Sequence, residues 1–186
     1  MNTPSKDWKL LNQKKGEDLK IFTVRFDQYL NLRNNQQITA TVLKSDDAVN
    51  VIALTKDQKI ILVEQFRFGI EETTLELPGG FVDLGEDKLI AAKRELQEET
   101  GYTGQQWKYL GYVANNPSYV TGNVHHYLLE GADLNAEIKL DIGENIKVIA
   151  LPLAELKTLL ANNKIIHPHT ISALAMVFNI YGGRAL

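Results

Sequence analysis

Cysteine is absent from the 186 residues. Disulfides, thiolate metal sites and a thiol nucleophile are therefore excluded, and any metal must be held by oxygen or imidazole. Histidine is scarce, with His125, His126, His167 and His169 making up the set. None falls in a helical HxxxH or HExxH spacing, which argues against a zinc centre, and His125 and His126 read as packing or hydrogen-bonding residues. No run of about 18 apolar residues is present to span a membrane. The segment Met1 to Gln13 is polar and lacks the apolar core of a signal peptide. Neither charge sign dominates: 20 Lys plus Arg face 23 Asp plus Glu, a formal charge of −3. No basic field exists to recruit nucleic acid or an anionic membrane. These absences leave a cytoplasmic protein whose partner is a small molecule. A hydrophobic fraction of 44% over this length suffices for one sizeable α+β domain, or a compact core with a small appended subdomain.

What is present is concentrated in residues 80 to 102. Gly79 and Gly80 permit a tight turn, Glu86 and Asp87 suit a helix N-terminus, and Gly101 marks a stop, so the pattern predicts a helix over roughly Asp87 to Thr100. At about 100° per residue, Leu89, Ala92, Leu96 and Thr100 share one side, while Glu95, Glu98 and Glu99 fan across a neighbouring face. Glu95 and Glu99 are a like-charge pair four residues apart, which costs a free helix roughly 0.2–0.5 kcal/mol. A hard divalent cation offsets that repulsion, because it takes carboxylate oxygens and retains water and substrate phosphate in its shell. Arg94, four before Glu98, is placed to pair with it, and Ala91 and Ala92 leave room for a loop or a phosphate. The bland alternative is a solvated acidic helix whose glutamates only favour helix and solubility.

The rest of the chain supplies a scaffold. Lys14 to Asp18 predicts a polar turn around Gly16, Ile21 to Phe26 a strand, Asn34-Asn35 a turn and Ile38 to Leu43 a further strand. The first 45 or so residues thus predict a small antiparallel sheet. Val49 to Leu54 and Ile60 to Phe66 are strands around the hairpin signal Lys56 to Lys59, and Thr74 to Leu77 runs into Pro78-Gly79-Gly80. Trp107 to Ala114 and Val124 to Leu129 predict paired strands, and Lys147 to Leu151 another. Leu153 to Asn162 and Thr170 to Tyr181 read as helices that cover the sheet.

Gly80, five residues, Glu86, seven residues, Arg94-Glu95-Leu96, one residue, Glu98-Glu99, one residue and Gly101 resembles the Nudix box throughout. The final position, usually aliphatic in that family, is Tyr102. Glu-Gln-Phe-Arg at 64 to 67 before Glu-Leu-Pro-Gly-Gly, Pro117 sixteen residues after Gly101, and Gly-Glu-Asn-Ile-Lys-Val at 143 to 148 narrow the resemblance to the ADP-ribose pyrophosphatase group.

That resemblance implies an α/β (α+β) chain: a three-layer α/β/α Nudix sandwich with a mixed sheet over 46–186. It also implies a small N-terminal antiparallel β subdomain over 1–45 that dimerises the protein. The implied substrate is a nucleoside diphosphate sugar, ADP-ribose first, cut to AMP and ribose 5-phosphate, with no nucleic acid or membrane partner. The implied metal is Mg²⁺, with Mn²⁺ as the alternative, on Glu95, Glu98, Glu99 and the Gly80 carbonyl, while Glu86 supports the shell. Glu98, Glu144 and Arg94 are the implied catalytic residues, with Asp141 as the alternative to Glu144, and Arg67 and Pro117 the substrate-binding ones. For Arg67 a surface strand end is the competing reading. Other diphosphate substrates (GDP-mannose, another nucleotide sugar, NADH) keep the same chemistry, and a noncatalytic ADP-ribose-binding sensor is the reading from a different class.

Overall fold

A computed structural model describes residues 6–178. The chain divides into two compact units, Met1–Asp46 with Ala114–Asn123, and Asp47–Val113 with Val124–Leu186.

In the first unit, β1 (Trp8–Asp18), β2 (Thr23–Asn31) and β3 (Gln37–Lys44) form an antiparallel sheet in the order β1-β2-β3. The predicted turn at Lys14 to Asp18 is not there: β1 runs straight through it, and the chain reverses where Leu19 N–H donates to Phe22 O at 2.7 Å. Gly16 serves a different purpose. A Cβ at that position would lie 2.9 Å from Phe26 Cε2 and 3.2 Å from Val24 Cβ, so glycine admits side chains of the neighbouring strand. The register shift between Lys15 and Asp18 accommodates the same crowding. Asn35, at φ 56°, makes the second reversal, a backbone region that asparagine tolerates.

The second unit is built on a seven-stranded mixed sheet with the path β10-β5-β4-β9-β7. Its strands are β4 (Ala48–Thr55), β5 (Lys59–Arg67), β6 (Glu72–Glu76), β7 (Tyr102–Thr103), β8 (Gln106–Ala114), β9 (Asn123–Leu134) and β10 (Lys147–Pro152). β6 pairs with β5 and β8 with β9, and β4 and β9 run parallel. Continuous burial of Val49 to Thr55 in β4 and of Ile60 to Val63 in the first half of β5 marks these stretches as covered on both faces.

Strand alternation divides the core in two. Val49, Val51, Ala53, Ile61, Tyr127 and Leu129 face α1 (Lys88–Thr100), meeting Ala91, Ala92 and Leu96. Ile52, Leu54, Ile60, Leu62 and Leu128 face the other way, onto Leu156 of α2 (Leu153–Ala161) and Ala173 and Leu174 of α3 (Pro168–Val177). The result is the three-layer α/β/α arrangement that the resemblance implies. Helix α3 begins earlier than the apolar pattern predicts, because Pro168 occupies its first turn, where a missing N–H costs nothing. Its predicted extension to Tyr181 lies outside the described residues. No helix among the described residues is long and apolar enough to cross a membrane.

Candidate active site

The site starts with a loop stitched to β4. Between β6 and α1, Pro78 O accepts from Val51 N and Gly80 O from Val49 N, each at 2.9 Å, and Val82 N–H donates to Asp47 O at 2.9 Å. Two glycines make this approach feasible. A Cβ at Gly79 would lie 2.1 Å from Val49 O, and one at Gly80 would lie 2.6 Å from the Glu95 carboxyl carbon. Gly80 is thus pressed against the carboxylate it is predicted to assist.

Helix α1 is fixed at both ends. The Asp87 side chain accepts from Leu89 N and Ile90 N at 2.9 and 3.3 Å, and Gly101, at φ 73°, donates its N–H to Gln97 O. Ala91, Ala92, Leu96 and Thr100 are buried, with Leu89 partly buried beside them, which sets the rotation of the helix and carries the glutamates to the loop side. Thr100 Oγ1 donates back to Leu96 O.

Arg94 is the hub of this face. Sequence spacing pairs it with Glu98, and the 3.2 Å contact is present, but the guanidinium does more. It donates to both oxygens of Glu86 at 3.0 and 2.9 Å, to Glu95 Oε1 at 2.7 Å and to Phe81 O at 3.1 Å. These partners, Glu86 first, hold Arg94 protonated, and Arg94 in turn lowers the pKa of Glu86 below the ordinary carboxylate value.

Glu99 has no such partner. It is 2% exposed and accepts one hydrogen bond, from Gly79 N–H at 2.8 Å. Burial, followed by the charges of Glu95 and Glu144, pushes its pKa up to about 8. Burial also raises Glu95, with Arg94 pulling against it and Glu144 and Glu98 adding to it. Glu144 therefore acts electrostatically on both. It sits in a tight turn in which its carboxylate accepts from Asp141 N–H and its own N–H donates to Asp141 O, each at 2.9 Å.

The donor set suits a hard divalent cation. Every candidate ligand is an oxygen, Glu99 has no ion-pair partner, Glu95 shares Arg94 with Glu86 and Glu98, and the Gly80 backbone abuts the Glu95 carboxylate. Among the described residues no three His, Asp or Glu side chains already stand as a ligand set, because Arg94 holds Glu95 and Glu98 while Gly79 holds Glu99.

Arg67 is not a free strand end. Its guanidinium forms a bidentate pair with buried Glu76, Nε to Oε1 at 2.7 Å and Nη2 to Oε2 at 2.5 Å. Sequence reasoning missed Glu76, noting Glu-Leu-Pro-Gly-Gly only for the loop it leads into. The available signal was its alternation with Thr74 on one side of a short strand. Pro117 lies in Ala114–Asn123, within the first unit. The histidines are hydrogen-bonding residues, as expected: His126, fully buried, lies 2.7 Å from Asn50 Oδ1 and 3.0 Å from Ser172 Oγ, and His125 stands between Tyr109 OH and Asp47. Burial drops His126 to about 4, so it is neutral near pH 7.

Comparisons with known proteins agree with this geometry. Residues 44–174 match the NUDIX domain family. The chain is 33% identical over 144 residues to a methanol dehydrogenase activator of Bacillus methanolicus and 32% identical over 144 residues to an ADP-ribose pyrophosphatase of Bacillus subtilis (strain 168). Each alignment spans 77% of this chain and 78% of the relative. An ADP-sugar pyrophosphatase of Mus musculus is 37% identical over 131 residues, 66% of this chain and 60% of that one. The crystal structure of an ADP compounds hydrolase superposes with a TM-score of 0.82 at 23% identity, covering 95% of both chains, a likeness of fold. The row of glutamates on α1, the glycine loop beneath it and the match over residues 44–174 lead to one assignment: the chain belongs to the Nudix family.

Proposed function

We propose that this protein is a metal-dependent pyrophosphohydrolase that cleaves ADP-ribose to AMP and ribose 5-phosphate, using Mg²⁺, and that it works as a cytoplasmic homodimer associated through residues before about Leu43. The observation that carries the reading is Glu99: a carboxylate 2% exposed, without a cationic partner, beside a second buried carboxylate in a Nudix chain. Relatives named ADP-ribose pyrophosphatase and ADP-sugar pyrophosphatase support the choice of substrate.

Glu95, Glu98, Glu99 and the Gly80 carbonyl would hold the cation. When bound, a hard divalent ion neutralises the diphosphate and lowers the pKa of an attacking water. Glu144 accepts the proton of that water as its oxygen bonds to one phosphorus, and the bridging P–O bond breaks to leave the second phosphate on its product. Arg94, locked by Glu86, keeps Glu95 and Glu98 from repelling one another before the cation arrives. Arg67 donates to the diphosphate with the edge of its guanidinium that Glu76 does not use.

Product analysis on ADP-ribose, GDP-mannose and NADH, each with Mg²⁺ and with Mn²⁺, tests the reading. AMP and ribose 5-phosphate should form at the highest kcat/KM from ADP-ribose. Binding of ADP-ribose without turnover under either metal would make the protein a sensor, and faster cleavage of GDP-mannose or NADH would reassign the substrate.

A further inference from the structure

We propose that Glu76, which lies outside the acidic row of α1, is a positioning residue that aims Arg67 at the substrate phosphates, with Thr74 fixing Glu76 in turn. The proposal rests on the diphosphatase reading given above.

Glu76 ends β6 and is 1% exposed, yet its carboxylate accepts three hydrogen bonds. Oε1 takes Arg67 Nε at 2.7 Å and Thr74 Oγ1, while Oε2 takes Arg67 Nη2 at 2.5 Å and lies 3.5 Å from His167 Nε2. His167 is anchored beyond that. Its Nδ1 lies 3.2 Å from Thr170 Oγ1, which accepts Leu77 N–H at 3.0 Å, so the carboxylate is held between β6 and the start of α3. Burial alone would raise the pKa of Glu76, but the Arg67 hydrogen bonds, with His167 and Thr74, bring it below the ordinary value. It is therefore an anion, and an anion is what fixes a guanidinium in two dimensions.

The other half of the guanidinium is open. Arg67 spends Nε and Nη2 on Glu76, its Nη1 has no partner among the described residues, and its side chain is 42% exposed. Glu76 lies three residues before Gly79, whose N–H donates to Glu99 at 2.8 Å, so the pair that holds the guanidinium leads directly into the loop at the carboxylate cluster. A cation held rigidly there is suited to a phosphate bound by the same cluster. An unrestrained arginine would lose rotamer entropy on binding it. A merely structural ion pair tying β5 to β6 is the alternative, but those strands are already hydrogen-bonded in register from Val63–Glu76 to Arg67–Glu72.

Steady-state kinetics on ADP-ribose with Mg²⁺ should compare the wild type, Glu76→Gln, Arg67→Ala and the double variant, each checked for folding by circular dichroism. Glu76→Gln is expected to raise KM roughly tenfold with kcat changed less than about threefold, as misaiming one charged hydrogen-bond donor would. In the Arg67→Ala background, Glu76→Gln should raise KM no further, because the residue it positions is gone. An unchanged KM in folded Glu76→Gln, or KM effects that multiply in the double variant, overturns the proposal. If Glu76→Gln does not fold, Thr74→Val removes one support of the carboxylate. It should then raise KM in the wild type and leave it unmoved in Arg67→Ala, and any other pattern overturns the proposal. A wild type that leaves ADP-ribose uncleaved instead refutes the functional reading, so the two failures are distinct.

Discussion

Replacing Glu99 by glutamine should make the metal-free protein more stable near neutral pH while removing its metal site. The folded-state pKa of about 8 stands against an ordinary value of 4.5 for an unfolded glutamate. The sign follows from which state keeps the proton. A raised pKa means that the folded chain holds it after the unfolded chain has released it. The stabilisation is complete below about 4.5, declines as pH rises, and is gone above about 8. Between about pH 5 and about pH 7 this group alone should remove about 2–3 kcal/mol from the fold. Glutamine has no such dependence, and its oxygen can still accept the Gly79 N–H. Urea denaturation in chelator at both pH values should therefore show the wild type losing about 2 kcal/mol more than Glu99→Gln between them. With Mg²⁺, wild-type apparent affinity should climb with pH up to about 8, as the metal displaces the Glu99 proton, and the variant's should be weak and flatter. Parallel stability changes in the two proteins would refute the buried, uncompensated carboxylate. Equal Mg²⁺ affinities would refute its role as a ligand.

Glu144→Gln should lower kcat by about 10²–10⁴-fold with Mg²⁺ and substrate affinities little changed; near-normal turnover, with a comparable loss in Asp141→Asn, would move the base to Asp141. Gly80→Ala should weaken Mg²⁺ binding measured by calorimetry, since the new Cβ falls 2.6 Å from the Glu95 carboxyl carbon and must displace it; an unaltered affinity would detach Gly80 from the metal site. Deleting residues 1–43 should convert the dimer to a monomer in sedimentation and reduce turnover, and a fully active monomer would refute the association.

Local chemistry was legible and cross-chain chemistry was not. The bounds of α1 followed from Asp87 and Gly101 because caps act on backbone groups within two to four residues. The facing of Glu95, Glu98 and Glu99 followed from the apolar positions Ala92, Leu96 and Thr100 behind them. Arg94 was half legible. Its Glu98 contact is one helical turn away, but Glu86, eight residues earlier, comes within 2.9 Å only because the loop folds back over the helix start. Gly16 was misread because glycine marks a turn from local sequence, whereas here it relieves contact with Phe26 on the next strand. The parallel pairing of β4 with β9 joins segments more than 70 residues apart, beyond any periodicity.

Two almost fully buried carboxylates of the second unit show how one chain separates scaffold from chemistry. Glu76 and Glu99 are 1% and 2% exposed, so both meet nearly the same penalty for carrying charge. At Glu76 the chain supplies Arg67 on both oxygens and Thr74 on one, and the pKa falls below the ordinary value. At Glu99 it supplies one backbone N–H and adds the repulsion of Glu95 and Glu144, and the pKa rises to about 8. Moving a cation to Glu99 would have been simple in sequence terms, since Arg94 stands on the same helix and already serves Glu86, Glu95 and Glu98. That Glu99 goes without leaves it holding its proton up to about pH 8. On the metal-dependent reading proposed above, a cation would have to displace that proton, so folding, metal binding and protonation at Glu99 would be one linked equilibrium.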